Sequence, residues 1–248
     1  MSASGQDKEK AEEANKKTQA GEGVRPTDDA RAFLNQLWSS NEGVRSDAWA
    51  RVARLIDDGV ITKDDARERI QPFIELLQSR DEGIRMQAWS SLGYLIDKGI
   101  ITRDDSLFFL GLLESPDPHV RRDAWSNLGY LIDKGVITKD DARQLRQSFL
   151  LLLQSSDKYV RQNAWSNLGY LIDKGIITKD DSIFFLGLLQ SSDKYVRRDA
   201  WSNLKLLVEK GVITKGDSLF FLGLLESPDP HVRRDAWSNL KLLVEKGV

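Results

Sequence analysis

An Ala-Trp pair recurs six times along this chain, at successive intervals of 40, 36, 40, 36 and 36 residues. The six tryptophans are Trp49, Trp89, Trp125, Trp165, Trp201 and Trp237. A fixed period of this size indicates that each unit is one supersecondary element, which buries its apolar face only by stacking on a neighbour. The repeat therefore predicts an elongated solenoid, in which contacts are made along a surface rather than in a deep pocket.

Each unit reads as two helices, and the third unit shows the signals clearly. Its first helix is predicted over residues 104–114 and is stopped by two prolines. Asp117 is the N-cap of a second helix over residues 118–134, which ends at Gly135 in a left-handed cap. Thr138 and the acidic residues after it begin the next unit. Because no strand pattern occurs, the predicted fold class is all-α.

The chain divides into a tail and an array. Residues 1–26 are rich in Lys and Glu and are predicted to be a disordered or transiently helical tail, with a partner-tethering arm as the functional alternative. Residues 27–248 form the array, with predicted units 27–62, 63–102, 103–138, 139–178, 179–214 and 215–248. The second and fourth units carry four more residues in their first helix, which predicts one added helical turn.

Composition limits the classes of partner. Lys and Arg number 36 and Asp and Glu number 38, so the formal charge of −2 offers no global field for nucleic acid or a membrane. The sequence has no cysteine, no apolar leader at Met1 and no long uncharged apolar run, so we expect a cytoplasmic protein without a membrane partner.

At the turn between the two helices the sequence resembles a known family. Residues 112–124, with Asp117 at the turn and Val120-Arg121 at the start of the second helix, and the later Leu128-Gly129, are similar to the HEAT repeat pattern. The resemblance implies a right-handed α-solenoid whose second helices line the concave face and whose commonest use is protein recognition. Large Trp125 and polar Asn127 depart from the small residues usual in that family.

The tryptophan column is predicted to be a buried stack between repeats, because every unit needs a large apolar contact there. Trp38 lies outside the column and is expected to be an N-terminal capping contact. Asn127 and its equivalents resemble the asparagine ladder of armadillo repeats, but their spacing from Trp favours local hydrogen bonding between repeats. Arg121 and its equivalents are expected to pair with turn carboxylates such as Asp117 rather than with a ligand.

The solvent-facing side of the second helices carries the predicted binding surface. Three tyrosines in units two to four form an amphipathic stripe of the residue type that interfaces favour, and aliphatic residues replace them in units five and six. The alternative is that this side is an ordinary solvent-exposed face of mixed charge that binds no partner. The predicted partner-binding residues are Tyr94, Arg122, Asp123, Ser126, Tyr130, Tyr170, Arg198, Asp199 and Leu206.

Enzymatic chemistry has little support in the sequence. The two histidines, His119 and His231, occupy the same position of different units, which disfavours a shared metal and the di-iron hydroxylases built from HEAT-like repeats. We therefore predict a protein that is not an enzyme, without catalytic residues, cofactor or metal.

The predicted function is a repeat scaffold that binds a protein or peptide through the concave second-helix surface, without nucleic acid. The alternative is a nucleic-acid-binding protein resembling the alkylpurine DNA glycosylases, which needs a basic groove that Asp123 and Asp133 are expected to offset. Bilin lyase-like chemistry and a constructed sequence without a natural ligand also remain open. Residues 106–128 and 218–240 are identical, which indicates recent duplication or deliberate construction.

Unit six keeps the interior pattern of the array, including Phe220, Phe221, Leu224, Trp237 and Leu240. An apolar outer face of this kind favours self-association. We therefore expect a homodimer through the C-terminal repeat.

Overall fold

The computed structural model describes residues 27–248, and the predicted tail over residues 1–26 lies outside them. Every regular element in this part of the chain is helical, so the predicted all-α solenoid class is confirmed. None of its helices is both long and apolar enough to cross a membrane. The units are numbered one to six as predicted.

The second helices form the longer layer of the array. They begin one residue after an Asn or Asp N-cap, whose carboxyl or amide oxygen accepts from backbone N–H groups of the first turn. Their bounds are Glu42–Asp57, Glu82–Asp97, Pro118–Ser126 with Leu128–Asp133, Lys158–Asp173, Lys194–Ser202 with Leu204–Glu209, and Pro230–Lys246. Each is followed by a glycine with φ between 65° and 73°, as the left-handed cap prediction requires.

Two second helices are interrupted, which the sequence did not indicate. In units three and five the helix breaks at Asn127 and Asn203, whose backbone N–H is shared between the carbonyls three and four residues earlier. The shared bond tightens the turn towards 3₁₀ geometry. The predicted continuous helix over residues 118–134 is therefore two shorter helices.

The first helices differ more from their prediction. In units three, five and six a 3₁₀ turn, such as Arg103–Asp105, precedes the α-helix, because Thr and Asp form a capping box over three residues. The bounds of the first helices are Asp28–Gln36, Lys63–Arg67 with Ile70–Leu76, Ser106–Leu113, Lys139–Gln144 with Arg146–Leu152, Ser182–Leu188, and Ser218–Leu225.

In the two long units the four added residues do not simply lengthen one helix. They divide the first helix in two, so that a short helix, Lys63–Arg67 or Lys139–Gln144, precedes the main one. An arginine of this region reaches the capping-box aspartate of the next unit, as Arg67 does to Asp105 at 2.7 Å and Arg146 to Asp181 at 2.8 Å. The added turn therefore clamps the long unit onto its successor.

The tryptophan column forms the core between units, as predicted, for five of its six members. Each buried indole packs against a phenylalanine of the next first helix, and the ring centroids lie 5.3 to 6.4 Å apart. The predicted stack of indoles is thus a set of Trp–Phe pairs, because the nearest ring comes from the next unit's first helix. Trp237 is 58% exposed, since no unit of the described chain packs against it.

Ion pairs also tie the units together at the C-terminal ends of the second helices. In units two to six, a lysine at the C-terminal end of the second helix bonds an acidic residue at the end of the preceding unit's second helix, in the pairs Lys98–Asp57, Lys134–Asp97, Lys174–Asp133, Lys210–Asp173 and Lys246–Glu209. The Asp97 carboxylate raises the pKa of Lys134, and the Asp133 carboxylate raises that of Lys174. The acidic residues of this column are therefore already neutralised.

The N-cap column makes the array sensitive to acid. Backbone N–H groups hold the pKa values of Asp157, Asp193 and Asp229 below the usual range. Their stabilisation is present above the unfolded pKa of about 4 and is lost as the pH falls through the lower folded pKa. We expect the urea midpoint of the protein to fall below about pH 4.

Asparagine offers a matched control for this effect, because Asn41 caps unit one with the same hydrogen bond and does not titrate. The triple variant Asp157→Asn, Asp193→Asn and Asp229→Asn is expected to lose less stability between about pH 5 and 3 than the parent does. Equal acid sensitivity of variant and parent would show that other carboxylates dominate.

Candidate functional site

The N-terminal halves of the second helices are separated by clefts where adjacent units meet. One of them has a volume of about 680 Å³ and lies across units two to four. It is lined by Glu82, Met86, His119, Arg122, Asp123, Ser126, Tyr159, Gln162, Asn163 and Ser166. A second, of about 470 Å³, lies between units five and six. It is lined by Lys194, Tyr195, Arg197, Arg198, Trp201, Ser202, Arg234, Asp235, Ser238 and Asn239. These clefts are the recesses in which a ligand side chain can be held.

A ladder of buried charges underlies the clefts. The Arg85 guanidinium donates to Asp123 of the next unit at 2.5 Å, and Arg161 donates to Asp199 at 2.6 Å. Arg197 and Asp235 form the third rung at 3.1 Å. These arginines are almost fully buried, so the aspartates are structural partners as well as members of the outer surface.

Two rungs of the ladder are missing. Gln87 and Asn163 replace the aspartate in units two and four, and the Nε atoms of Arg45 and Arg121 in the preceding units are buried without a hydrogen-bond partner. Burial lowers the pKa of Arg121, and the charge of Asp117 offsets part of that effect. At this position of the ladder, junctions one–two and three–four thus have an amide side chain where the other junctions have an aspartate.

The predicted pairing of Arg121 with the turn carboxylate Asp117 is wrong as a direct contact. Its guanidinium donates instead to the backbone carbonyl of Ser115, six residues earlier. All six equivalents make this bond, because the side chain folds back over the turn between the two helices. The column closes the inter-helix turn, and no member of it pairs with its own N-cap.

The structure places the predicted charged residues at the clefts. Arg122, Asp123 and Ser126 line the cleft of units two to four, and Arg198 lines the cleft of units five and six. Asp123 and Asp199 are buried rather than solvated, because each also binds an interior arginine. The Ser126 hydroxyl donates to Asn163 of the next unit at 2.8 Å, within the same surface.

The tyrosine stripe lies elsewhere, on the C-terminal halves of the same helices. Tyr130 donates to the Gly93 carbonyl at 3.2 Å, and Tyr170 lies across Gly129. In the fifth unit Leu206 lies over Gly169 in the same way. Tyr94 is 66% exposed, and none of these four residues lines the clefts. Tyr130 and Tyr170 therefore serve as contacts between repeats.

Because the Tyr170 ring lies against Gly129, replacing this helical glycine with alanine is expected to lower the stability of the protein rather than raise it. A Cβ at Gly129 would lie 2.5 Å from the Tyr170 hydroxyl, so Gly129→Ala should destabilise the protein by about 1 to 2 kcal/mol. Gly111 has open space around it in a helix, so Gly111→Ala should stabilise by about 0.5 to 1 kcal/mol. Urea denaturation measures both variants.

The double variant Gly129→Ala with Tyr170→Leu removes the clash and should recover most of the lost stability. The interpretation fails if Gly129→Ala proves as stable as Gly111→Ala.

The asparagine column makes local hydrogen bonds, but mostly inside its own helix. The amides of Asn127, Asn203 and Asn239 donate to the carbonyl four residues earlier. Only Asn167 also reaches the preceding unit, at Ser126, at 3.4 Å. The predicted bonding between repeats therefore applies to one member of the described column.

Several cleft residues were not predicted as binding residues. They occupy four columns of the second helix in which the units differ, while the columns around them stay nearly constant. The missed residues include His119, Tyr159, Gln162, Asn163, Lys194, Tyr195 and Arg234. Variation from unit to unit within a constant helix was the signal that could have found them.

The histidines are separated as the sequence indicated. His119 lies 3.8 Å from the N-cap Asp157 of the next unit, and His231 lies in unit six. Within residues 27–248 no group of three or more His, Asp or Glu side chains is placed to hold a metal ion.

Comparison with known proteins agrees with the architecture. No protein-family model matches the sequence, and no curated protein matches it. Among solved structures, the crystal structure of Cex1p matches with 14% identity and a TM-score of 0.52, over 88% of this chain and 45% of that one. This likeness concerns the fold alone.

Two further solved structures are similar over most of their length. One is the archaeal HEAT-like repeats protein from Thermococcus onnurineus NA1, with 16% identity, a TM-score of 0.38, and 88% of each chain covered. The other is the complex of CpcE and CpcF of phycocyanin lyase from Nostoc sp. PCC7120, with 17% identity, a TM-score of 0.38, and 92% of this chain and 82% of that one covered. The described residues form an all-α solenoid of two-helix repeats.

Proposed function

We propose that this protein is a non-enzymatic scaffold that binds a protein or peptide along its second helices, on the concave side of the solenoid. The observation that carries the proposal is the row of clefts between the N-terminal halves of those helices. The lining of the clefts includes columns that vary between units, beside constant columns such as those of Trp201 and Ser202. A rigid frame with variable recesses suits recognition of an extended chain.

A random peptide library displayed on phage, selected against the full chain, tests this proposal. Selected peptides should protect backbone amides in residues 118–126, 158–166 and 194–202 from hydrogen exchange. Protection confined to the first helices, or no enriched peptide, would contradict the proposal. Enrichment is scored against selection on a heat-denatured sample of the same chain.

We further propose a homodimer through unit six. The support is an apolar face at which Trp237, Leu222 and Val244 are each more than half exposed. The equivalents Trp201 and Leu186 in unit five are buried against the following unit. Two copies related by a two-fold axis would cover the same face reciprocally.

Light scattering from about 1 to 100 μM should show the mass rising towards that of a dimer, given a modest interface with a Kd of about 1 μM. Trp237→Glu should keep the protein monomeric over the same range. A parent protein that stays monomeric at about 100 μM rejects the dimer.

A further inference from the structure

The chain contains an internal control for the charge of its surface. Residues 106–128 and 218–240 are identical, so Arg122 and Arg234 belong to the same local sequence. The Arg122 side chain is 11% exposed and bonds Glu82 of the preceding unit at 3.3 Å. The Arg234 side chain is 66% exposed. Arg198 of unit five, which like Arg122 has a unit on either side, is also 56% exposed.

One position of the preceding second helix differs in charge between these units. Where unit two has Glu82, unit four has Lys158 and unit five has Lys194. Lys194 lines the same cleft as Arg234, and Lys158 lines a cavity of about 460 Å³ together with Arg198. The charge that neutralises Arg122 is thus reversed in sign beside Arg198 and Arg234.

The remaining carboxylates do not make up the deficit. Asp199 is shared between Arg161 and Arg198, and Asp235 between Arg197 and Arg234. Each of these two aspartates therefore already pairs with two guanidiniums. An N-cap Asp or Asn precedes every second helix, so the N-caps contribute little to the contrast between units. Units four to six carry an excess of positive charge along this edge.

An aromatic ring lies among these positively charged side chains. The Tyr195 ring borders both cavities and lies 4.9 Å from the Lys194 ammonium and 5.5 Å from the Arg198 guanidinium. Trp201 and Ser202 also line the cleft between units five and six, beside Arg234. The result is a recess with cations at its rim and aromatic and hydroxyl groups within it.

We propose that the clefts of units four to six bind an acidic polypeptide segment, whose Asp or Glu carboxylates pair with Lys158, Lys194, Arg198 and Arg234. The inference rests on the proposed function and names the partner chemistry for one part of that surface. A peptide fits better than duplex DNA, because the excess charge spans only three units and lies in separate recesses. Duplex binding relies on many phosphate contacts along a continuous groove.

Fluorescence anisotropy with a labelled Glu-rich peptide tests the inference on the full chain. The site variant is Lys158→Glu with Lys194→Glu, which copies the Glu82 arrangement that unit two already accommodates. The control variant is Lys179→Glu with Lys215→Glu, which changes the net charge equally at lysines outside both cavities. The site variant should weaken binding by about tenfold or more, and the control by less than about twofold.

Raising the salt from about 50 to 300 mM should also weaken binding, and the same peptide with Gln for Glu should bind less tightly. The inference is overturned if both variants lose affinity equally, if a DNA duplex binds more tightly than the peptide, or if no binding occurs at about 500 μM. If phage-selected peptides bind while the Glu-rich peptide does not, the proposed function survives and this inference fails. If no peptide of either kind binds, both fail.

Discussion

Replacing Trp165 with alanine is expected to lower the free energy of unfolding by about 3 to 5 kcal/mol. The indole is 5% exposed, and its ring centroid lies 6.2 Å from that of Phe185 in the next unit. Truncation therefore leaves a cavity at the junction between units four and five, where neighbouring side chains collapse only in part. Urea denaturation followed by circular dichroism measures the change.

The chain supplies its own controls for this prediction. Trp237 occupies the same column but is 58% exposed, and Trp38 is 56% exposed. Trp237→Ala and Trp38→Ala should each cost less than about 1 kcal/mol. If Trp165→Ala unfolds within error of the parent, or no later than Trp237→Ala, the column does not hold the units together.

Replacing Asp123 with alanine is expected to cost about 3 to 5 kcal/mol as well, for an electrostatic reason. Its carboxylate accepts from the Arg85 guanidinium, whose side chain is 3% exposed. Without Asp123 that cation stays buried and keeps only the Ser79 carbonyl as a partner. Urea denaturation at pH 7 gives the loss.

The converse experiment adds a carboxylate at a junction that has no buried Arg–Asp pair. Asn163→Asp places a carboxylate at the ladder position that follows Arg121, whose Nε atom has no partner. We expect a gain of about 1 kcal/mol. The gain should disappear in the double variant Asn163→Asp with Arg121→Met. An Asn163→Asp protein less stable than the parent would show that the ladder does not set the stability of these junctions.

The sequence was sufficient for the architecture because its strongest signals are local. Asp117 before Pro118, and Gly135 after the second helix, mark helix ends through hydrogen bonds within a few residues. The 36 to 40 residue period then implied the stacking of units, and the burial of Trp125 followed from the apolar arc of a single helix.

The missing details depend on two units at once. The hydrophobic pattern of a single helix places Asp123 on the solvent side, because that pattern says nothing about Arg85 of the preceding unit, to which Asp123 binds. It likewise gave Tyr170 a free surface, although Gly129 of the preceding unit is where its ring rests. The clefts too exist only between units. Reading each column as pairs of successive residues would have revealed the Arg–Asp and Gly–Tyr combinations.

The contact between a glycine and the ring of the next unit has a consequence for how such an array can grow. The identical stretches end at Leu128 and Leu240, and the following residues differ, Gly129 in one and Lys241 in the other. A copied stretch that stops before this position does not restrict the size of the side chain at the Tyr170 position of the unit that follows it. A block that includes Gly129 suits a large ring after it, while one that includes Lys205 is followed by Leu242. The identical 23-residue stretches contain neither the glycine position nor the ring position, so copying such a stretch leaves every glycine–ring pair as it was, whereas copying a whole unit brings a new residue against both neighbours.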